Sequence, residues 1–220
     1  MVEPLSKRTF DRVATCYHWL ERITFGARLQ ATRTALLPAL ADRQRVLILG
    51  EGDGRFLAAL CQSNPSSQIV VIDQSQRMIE LARDRLSPMD GAHSRVEFCH
   101  ADAQDVLPLP AAFDLVVCNF FLDCFDRPGI ESLLPRIAGS LARGGQLLLG
   151  DFRLPPAGFR RWLARLALLG MHTFFRLSAG ITARRLADLP LLLAEHGWRP
   201  LQVVERAGGF LHSSLWARAR

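Results

Sequence analysis

Three glycines at alternate positions, Gly50, Gly52 and Gly54, stand behind four consecutive apolar residues in the stretch VLILGEGDGRFL, 46–57. Without Cβ atoms they let the chain turn sharply and let a ligand lie close to the backbone. Asp73 stands 21 residues beyond Gly52, at the end of the next apolar run, where a carboxylate would reach a ribose diol. Asp102, in HADAQDVLPLP at 100–110, is placed to accept a hydrogen bond from an adenine amino group. Each feature alone has an ordinary reading. The glycines are a turn, Asp73 is the N-cap of a helix QSQRMIELAR, and Asp102 is a turn residue. At successive strand ends along one edge of one sheet, they jointly favour an adenosine-containing ligand.

The loop spacing narrows that ligand. A dinucleotide fingerprint reads G-x-G-x-x-G and sets a pyrophosphate on the helix N-terminus. Here the spacing is G-x-G-x-G, followed by Arg55 and Phe56. The phosphate loop G-x-x-x-x-G-K-[ST] is not matched either. A ligand without phosphates fits better.

The elements that must hold these residues follow from hydrophobic period. Apolar runs at 45–50, 68–73, 113–120 and 145–152 read as buried strands, with a weaker one at 95–100. Helical patterns lie between them at 54–63, 75–86 and 130–143. This alternation predicts a doubly wound α/β fold, a mostly parallel sheet with helices on both faces and right-handed crossovers. The C-terminus differs. A helix at 189–198 closes at Gly197, and two strands then flank Ala207-Gly208-Gly209, which predicts a hairpin and an antiparallel last strand.

On these motifs the chain resembles the class I S-adenosylmethionine-dependent methyltransferases over nearly its whole length. VLILGEGDG resembles the family's glycine motif, and VVIDQSQRMIELAR its ribose-binding strand and following helix. ADAQDVLPLPAAFDLVVCNFFL resembles its adenine-side loop and fourth strand, and LLPRIAGSLARGGQLLLGDF its helix, Gly-Gly turn and fifth strand. The resemblance implies a Rossmann-like seven-stranded sheet and S-adenosyl-L-methionine as cofactor. It places cofactor contacts at Gly50, Glu51, Gly52, Asp73 and Gln74, and further along the chain at Met78, Asp102, Ala103, Asn119 and Phe120. The family commonly has an acid two positions before the first glycine, where it helps hold the methionine end; here that residue is Ile48, and Glu51 is the available substitute. FDRVATCYHWLERITFG and the C-terminal hairpin are similar in layout to the ubiquinone/menaquinone biosynthesis C-methyltransferases. The Tyr-Asp pair usual there is Tyr17-His18, so that subgroup's substrate does not carry over.

Methyl transfer from a sulfonium is an in-line displacement that asks mainly for positioning. A base is needed only where the acceptor is a hydroxyl or an acidic carbon. The polar candidates are Tyr17 and His18 from an N-terminal helical lid spanning 5–40, Asp123 after the fourth strand, Asp151 at the end of the fifth, and His172. Asp123 and Asp151 have a second reading as helix caps. His172 lies in an inserted cap, 153–186, where Trp162, Leu166, Leu169, Met171, Phe174 and Phe175 alternate with Arg160, Arg161, Arg165 and Arg176. That segment reads as a helical cap over the core, or as a lipophilic acceptor tunnel with peripheral membrane contact.

Composition sets the frame: 220 residues, 49% hydrophobic and 22% charged, suit one globular domain. Net charge is +6, and Lys7 is the only lysine. The five cysteines, Cys16, Cys61, Cys99, Cys118 and Cys124, form no CxxC pair and no metal-spaced cluster with histidine, which predicts reduced thiols and no metal site. No run approaches a membrane span, and a cytoplasmic location is expected. The acceptor is expected to be small or lipophilic. A nucleic-acid acceptor is disfavoured because the fourth strand is followed by NFFL, without the Asn/Asp-Pro-Pro-aromatic tetrapeptide of base modification. A non-catalytic cofactor-binding module and a dehydrogenase are the remaining readings of the fold.

Overall fold

The computed structural model describes residues 26–153 and 187–218. Within them the chain forms one seven-stranded sheet in the order β3-β2-β1-β4-β5-β7-β6. The strands are β1 (Arg45–Leu49), β2 (Gln68–Asp73), β3 (Val96–His100), β4 (Phe113–Asn119), β5 (Leu141–Phe152), β6 (Trp198–Arg206) and β7 (Leu211–Arg218). The first five run parallel, and β7 pairs antiparallel with both β5 and β6. The expected α/β sheet with an antiparallel last strand is therefore present. The hairpin that inverts it turns through three left-handed residues, Ala207, Gly208 and Gly209.

Helices cover both faces. They are α1 (Gly26–Arg33), α2 (Arg55–Ser63), α3 (Gln76–Leu86), a single-turn α4 (Ala103–Val106), α5 (Arg127–Ser140) and α6 (Leu189–Glu195). Period-2 alternation in the central strands divides the core in two. Leu47, Leu49, Val116, Cys118, Leu147 and Leu149 face α5 and α6, while Val46, Ile48, Leu115, Val117 and Leu148 face α2 and α3. Removing one such leucine side chain would cost about 2–5 kcal/mol.

The helix expected at 130–143 instead runs Arg127–Ser140. Asp126 starts it early by accepting from the Gly129 N–H at 3.1 Å, with Pro128 in the first turn. Its C-terminal end is taken over by β5, because Leu141 pairs with Phe113 ahead of a register shift. Residues 1–25 and 154–186 hold most of the expected lid and the inserted cap, and lie outside the described residues.

Candidate functional site

Parallel pairing brings the carboxyl ends of β1 to β5 to one rim. Backbone bonds continue along it: Gly50 N–H donates to Ile72 O at 2.9 Å, Ala101 N–H to Asp73 O at 3.2 Å, and Phe120 N–H to Gly150 O at 2.7 Å. Antiparallel β7 presents its amino end at the same rim, with His212 opposite Asp151 and Ser213 opposite Gly150.

The glycine loop is built by close approach at one point and left open at another. Gly54 has φ +80°, and a Cβ there would lie 2.6 Å from Ala82 Cα, so its absence lets α2 and α3 meet. Gly52 has φ +73°, and a Cβ there would meet nothing within 4 Å; the loop faces free space at that residue. Asp53 pins the loop from behind, its Oδ2 lying 2.8 Å from Arg55 Nε and 3.0 Å from Arg85 Nη2.

Asp73 does not cap α3. Ser75 does, accepting from Met78 N–H at 3.3 Å. Asp73 Oδ1 takes the Ser75 N–H at 2.9 Å, and Oδ2 takes the Gly52 N–H at 3.1 Å. Each carboxylate oxygen keeps a further lone pair for another donor. Burial raises its pKa, against the pull of those two N–H groups. Asp102 caps α4 through Oδ1, which accepts from Gln104 N–H at 2.8 Å, so the turn reading holds for one oxygen. Ala103 is buried behind it, Met78 is buried in the first turn of α3, and Gln74 is exposed, its carbonyl 3.1 Å from His100 Nε2.

Glu51 is buried and its Oε1 accepts the Leu57 N–H at 2.9 Å, in the first turn of α2. Gly54, at the N-cap position, has no side chain for that role, so the loop carboxylate fills it. Burial pushes Glu51 up to about 8, opposed by the Leu57 N–H and the Arg33 guanidinium. Ile48, where the family commonly has an acid, is packed in the core.

Sequence reasoning missed Arg33. It is buried on α1, acts electrostatically on both Glu51 and Asp123, and lies 5.4 Å above the Phe120 ring. Its one sequence signal is spacing, since Leu29, Arg33 and Leu36 share the inward stripe of α1 and the turn after it. Phe120 holds a left-handed φ of +54°, a conformation that costs a side-chain-bearing residue ~1–2 kcal/mol and that gathers at functional sites. Its ring sits 4.8 Å from that of Phe152.

Among the described residues Asp123 and Asp151 cap no helix; the aspartate caps there are Asp102, Asp126 and Asp188. The Oδ1 atoms of both Asp123 and Asp151 are buried without a hydrogen-bond partner, as are both amide atoms of Asn119. Burial pushes Asp123 up to about 6 against the pull of Arg33, and burial followed by repulsion from Asp123 pushes Asp151 well above the carboxylate range. Tyr17, His18 and His172 lie outside the described residues.

This donor set suits an adenosyl amino acid and not a dinucleotide. The first-turn N–H that would face a pyrophosphate is already held by Glu51, and Asp53 stands next to it. The Asp73 carboxylate, by contrast, lies beside open backbone at Gly52, and the Arg33 guanidinium acts on the buried Glu51 carboxyl.

Residues 46–145 match the family described as "Methyltransferase domain". Residues 46–145 thus carry the sequence pattern of a methyltransferase domain. The chain is 34% identical over 151 residues to the demethylmenaquinone methyltransferase of Clavibacter sepedonicus, covering 67% of this chain and 58% of that protein. It is 36% identical over 149 residues to a trans-aconitate 2-methyltransferase of Streptomyces coelicolor, covering 63% of this chain and 48% of that protein. The chain thus spans only about half to three-fifths of the length of these relatives. The mitomycin 7-O-methyltransferase MmcR shares the fold at a TM-score of 0.71 and 19% identity, covering 97% of this chain and 61% of that one. The N-methyltransferase NodS of Bradyrhizobium japonicum WM9, solved with S-adenosyl-L-homocysteine, shares it at 0.64 and 17%, covering 90% and 89%. Among the described residues no helix is long and apolar enough to cross a membrane.

Proposed function

We propose that this chain is an S-adenosylmethionine-dependent methyltransferase acting on a small, lipophilic acceptor. The observation that carries the reading is the paired use of two carboxylates. Glu51 closes the helix terminus a phosphate would need, and Asp73 braces Gly52 beside open space. Asp73 would hold the ribose, Asp102 and Ala103 the adenine side, and Glu51 with Arg33 the amino-acid end. Bound there, the cofactor supplies a methyl group already activated on a sulfonium. The chain's own task is to position the acceptor and keep water out. Phe120, Phe121, Phe125, Phe152 and Phe210 supply apolar surface near the rim, supporting a lipophilic acceptor.

Calorimetric titration with S-adenosyl-L-homocysteine tests the cofactor half, and a methyl-labelled cofactor incubated with cell extract tests the reaction. Tight binding and one labelled small-molecule product are expected. No binding at high protein concentration would remove the proposal. Peripheral membrane contact through 153–186 is a separate part of the reading, tested by co-sedimentation with anionic vesicles.

A further inference from the structure

The rim carries more polar apparatus than a cofactor-positioning site without base catalysis requires. Asp151 is the last but one residue of β5, Asp123 lies in the turn after β4, and Asn119 ends β4 opposite Gly150. Each leaves a buried polar atom with no partner. Asn119 lies so close over β5 that a Cβ at Gly150 would be 2.5 Å from its Oδ1. Leaving one such atom unpaired costs about 1–3 kcal/mol, and four together on one rim point to an occupant that satisfies them.

We propose that Asp123 and Asp151 are a proton-accepting carboxyl pair, and that with Asn119 they select a neutral acceptor bearing a hydroxyl group. This inference rests on the methyltransferase reading. Two buried carboxyls that repel each other hold one proton between them more readily than none. The pair with Asn119 therefore offers both donors and acceptors. A hydroxyl group brings both in return. An ammonium brings no lone pair, and a carboxylate brings no donor and meets like charge.

The groups around the pair fit that role. Arg33 of α1 draws Asp123 down, and Arg153 draws Asp151 down more weakly than Asp123 and burial raise it. Asp188, which caps α6, adds to the upward push. The neighbouring Cys124 thiol is pushed up by burial first and then by repulsion from Asp123, Asp73 and Asp151. His212, opposite Asp151, directs Nε2 to Gly209 O at 3.0 Å. In the step itself the acceptor O–H bond breaks and its proton passes to the pair. The freed oxygen lone pair forms the bond to the methyl carbon, and the electron pair of the carbon–sulfur bond stays on sulfur.

Carbon-13 labelling of the aspartate carboxyls reads the pair without any substrate. One carboxyl is expected to stay protonated at neutral pH, and Asp123→Asn is expected to lower the midpoint of Asp151. Titration of both as ordinary surface carboxylates would overturn the pair. With labelled cofactor, the product is expected to be a base-stable methyl ether. Asp123→Asn and Asp151→Asn should each slow turnover at least about a hundredfold with S-adenosyl-L-homocysteine affinity held. A methyl ester, thioether or carbon-methylated product, or unchanged turnover in both variants, would overturn the proposal. Failure of S-adenosyl-L-homocysteine to bind the native protein is separately visible and removes the underlying function instead.

Discussion

The Gly52 N–H donates to Asp73 Oδ2 at 3.1 Å, tying the loop after β1 to the end of β2 across 21 residues. The second oxygen of the same carboxylate holds the Ser75 N–H, so one side chain fixes the glycine loop and the entry to α3. Asp73→Ala is expected to destabilise the fold by about 1–3 kcal/mol, because two backbone donors lose their acceptor. Asp73→Asn keeps one acceptor and should cost less stability, yet lose roughly tenfold or more in S-adenosyl-L-homocysteine affinity with the charged acceptor gone. Urea denaturation and calorimetry on the two variants separate the effects. Equal losses of affinity and stability in both variants would argue against a ribose contact.

Gly52 and Gly54 predict opposite outcomes for the same substitution. Gly54→Ala drives a methyl group into the α3 backbone and adds left-handed strain, so a loss of about 3 kcal/mol or more is expected. Gly52→Ala adds only the strain, about 1–2 kcal/mol, but its methyl group enters the open space where the proposed ligand would lie. Thermal unfolding should rank Gly54→Ala as the less stable. Calorimetry should rank Gly52→Ala as the weaker binder relative to its stability.

Much of the fold is legible in the residues because buried parallel strands are short apolar runs. VLIL, QIVVID and FDLVVCN could be read directly, and Gly208-Gly209 announced the hairpin. Asp73 was legible because its distance from the loop is fixed by one strand and one helix. Arg33 was not, since GARLQATR carries no motif and its role comes from packing against Phe120. The capping role of Glu51 was equally hidden. It depends on Gly54 leaving α2 without a side-chain cap, which becomes apparent only once the loop is folded. The start of α5 was missed because its periodic apolar residues begin with Ile130, while the Asp126 cap and Pro128 lie before them.

Arg33→Met keeps the length of the side chain and its cover over Phe120 but removes the charge. Glu51 and Asp123 both lose a neighbour that lowers their pKa, so both are expected to rise further. If Arg33 faces the carboxylate end of the cofactor, S-adenosyl-L-homocysteine affinity should fall about tenfold or more, while adenosine, which lacks that end, should bind unchanged. Equal weakening of both ligands by calorimetry would place Arg33 in the fold alone.

Glu51 makes stability depend on pH with a definite sign. Its pKa is raised by folding, from an ordinary 4.5 to about 8, so the folded chain binds more protons than the unfolded chain between those values. Its stabilising contribution is complete below about 4.5 and is lost as pH climbs through about 8. The loss is on the order of a few kcal/mol. Asp73, Asp123 and Asp151 are shifted in the same direction, so the comparison must be with Glu51→Gln, whose amide oxygen still accepts the Leu57 N–H. The variant should lose less stability than the native protein between pH 5 and 8 in urea titrations. A cofactor ammonium drawn to this carboxylate would favour its ionised form, so binding should release close to one proton near neutral pH. Calorimetry of S-adenosyl-L-homocysteine in buffers of different ionisation enthalpy reads that proton directly. The native protein should show it and Glu51→Gln should not; the same proton count in both would assign Glu51 to capping α2 and to nothing more.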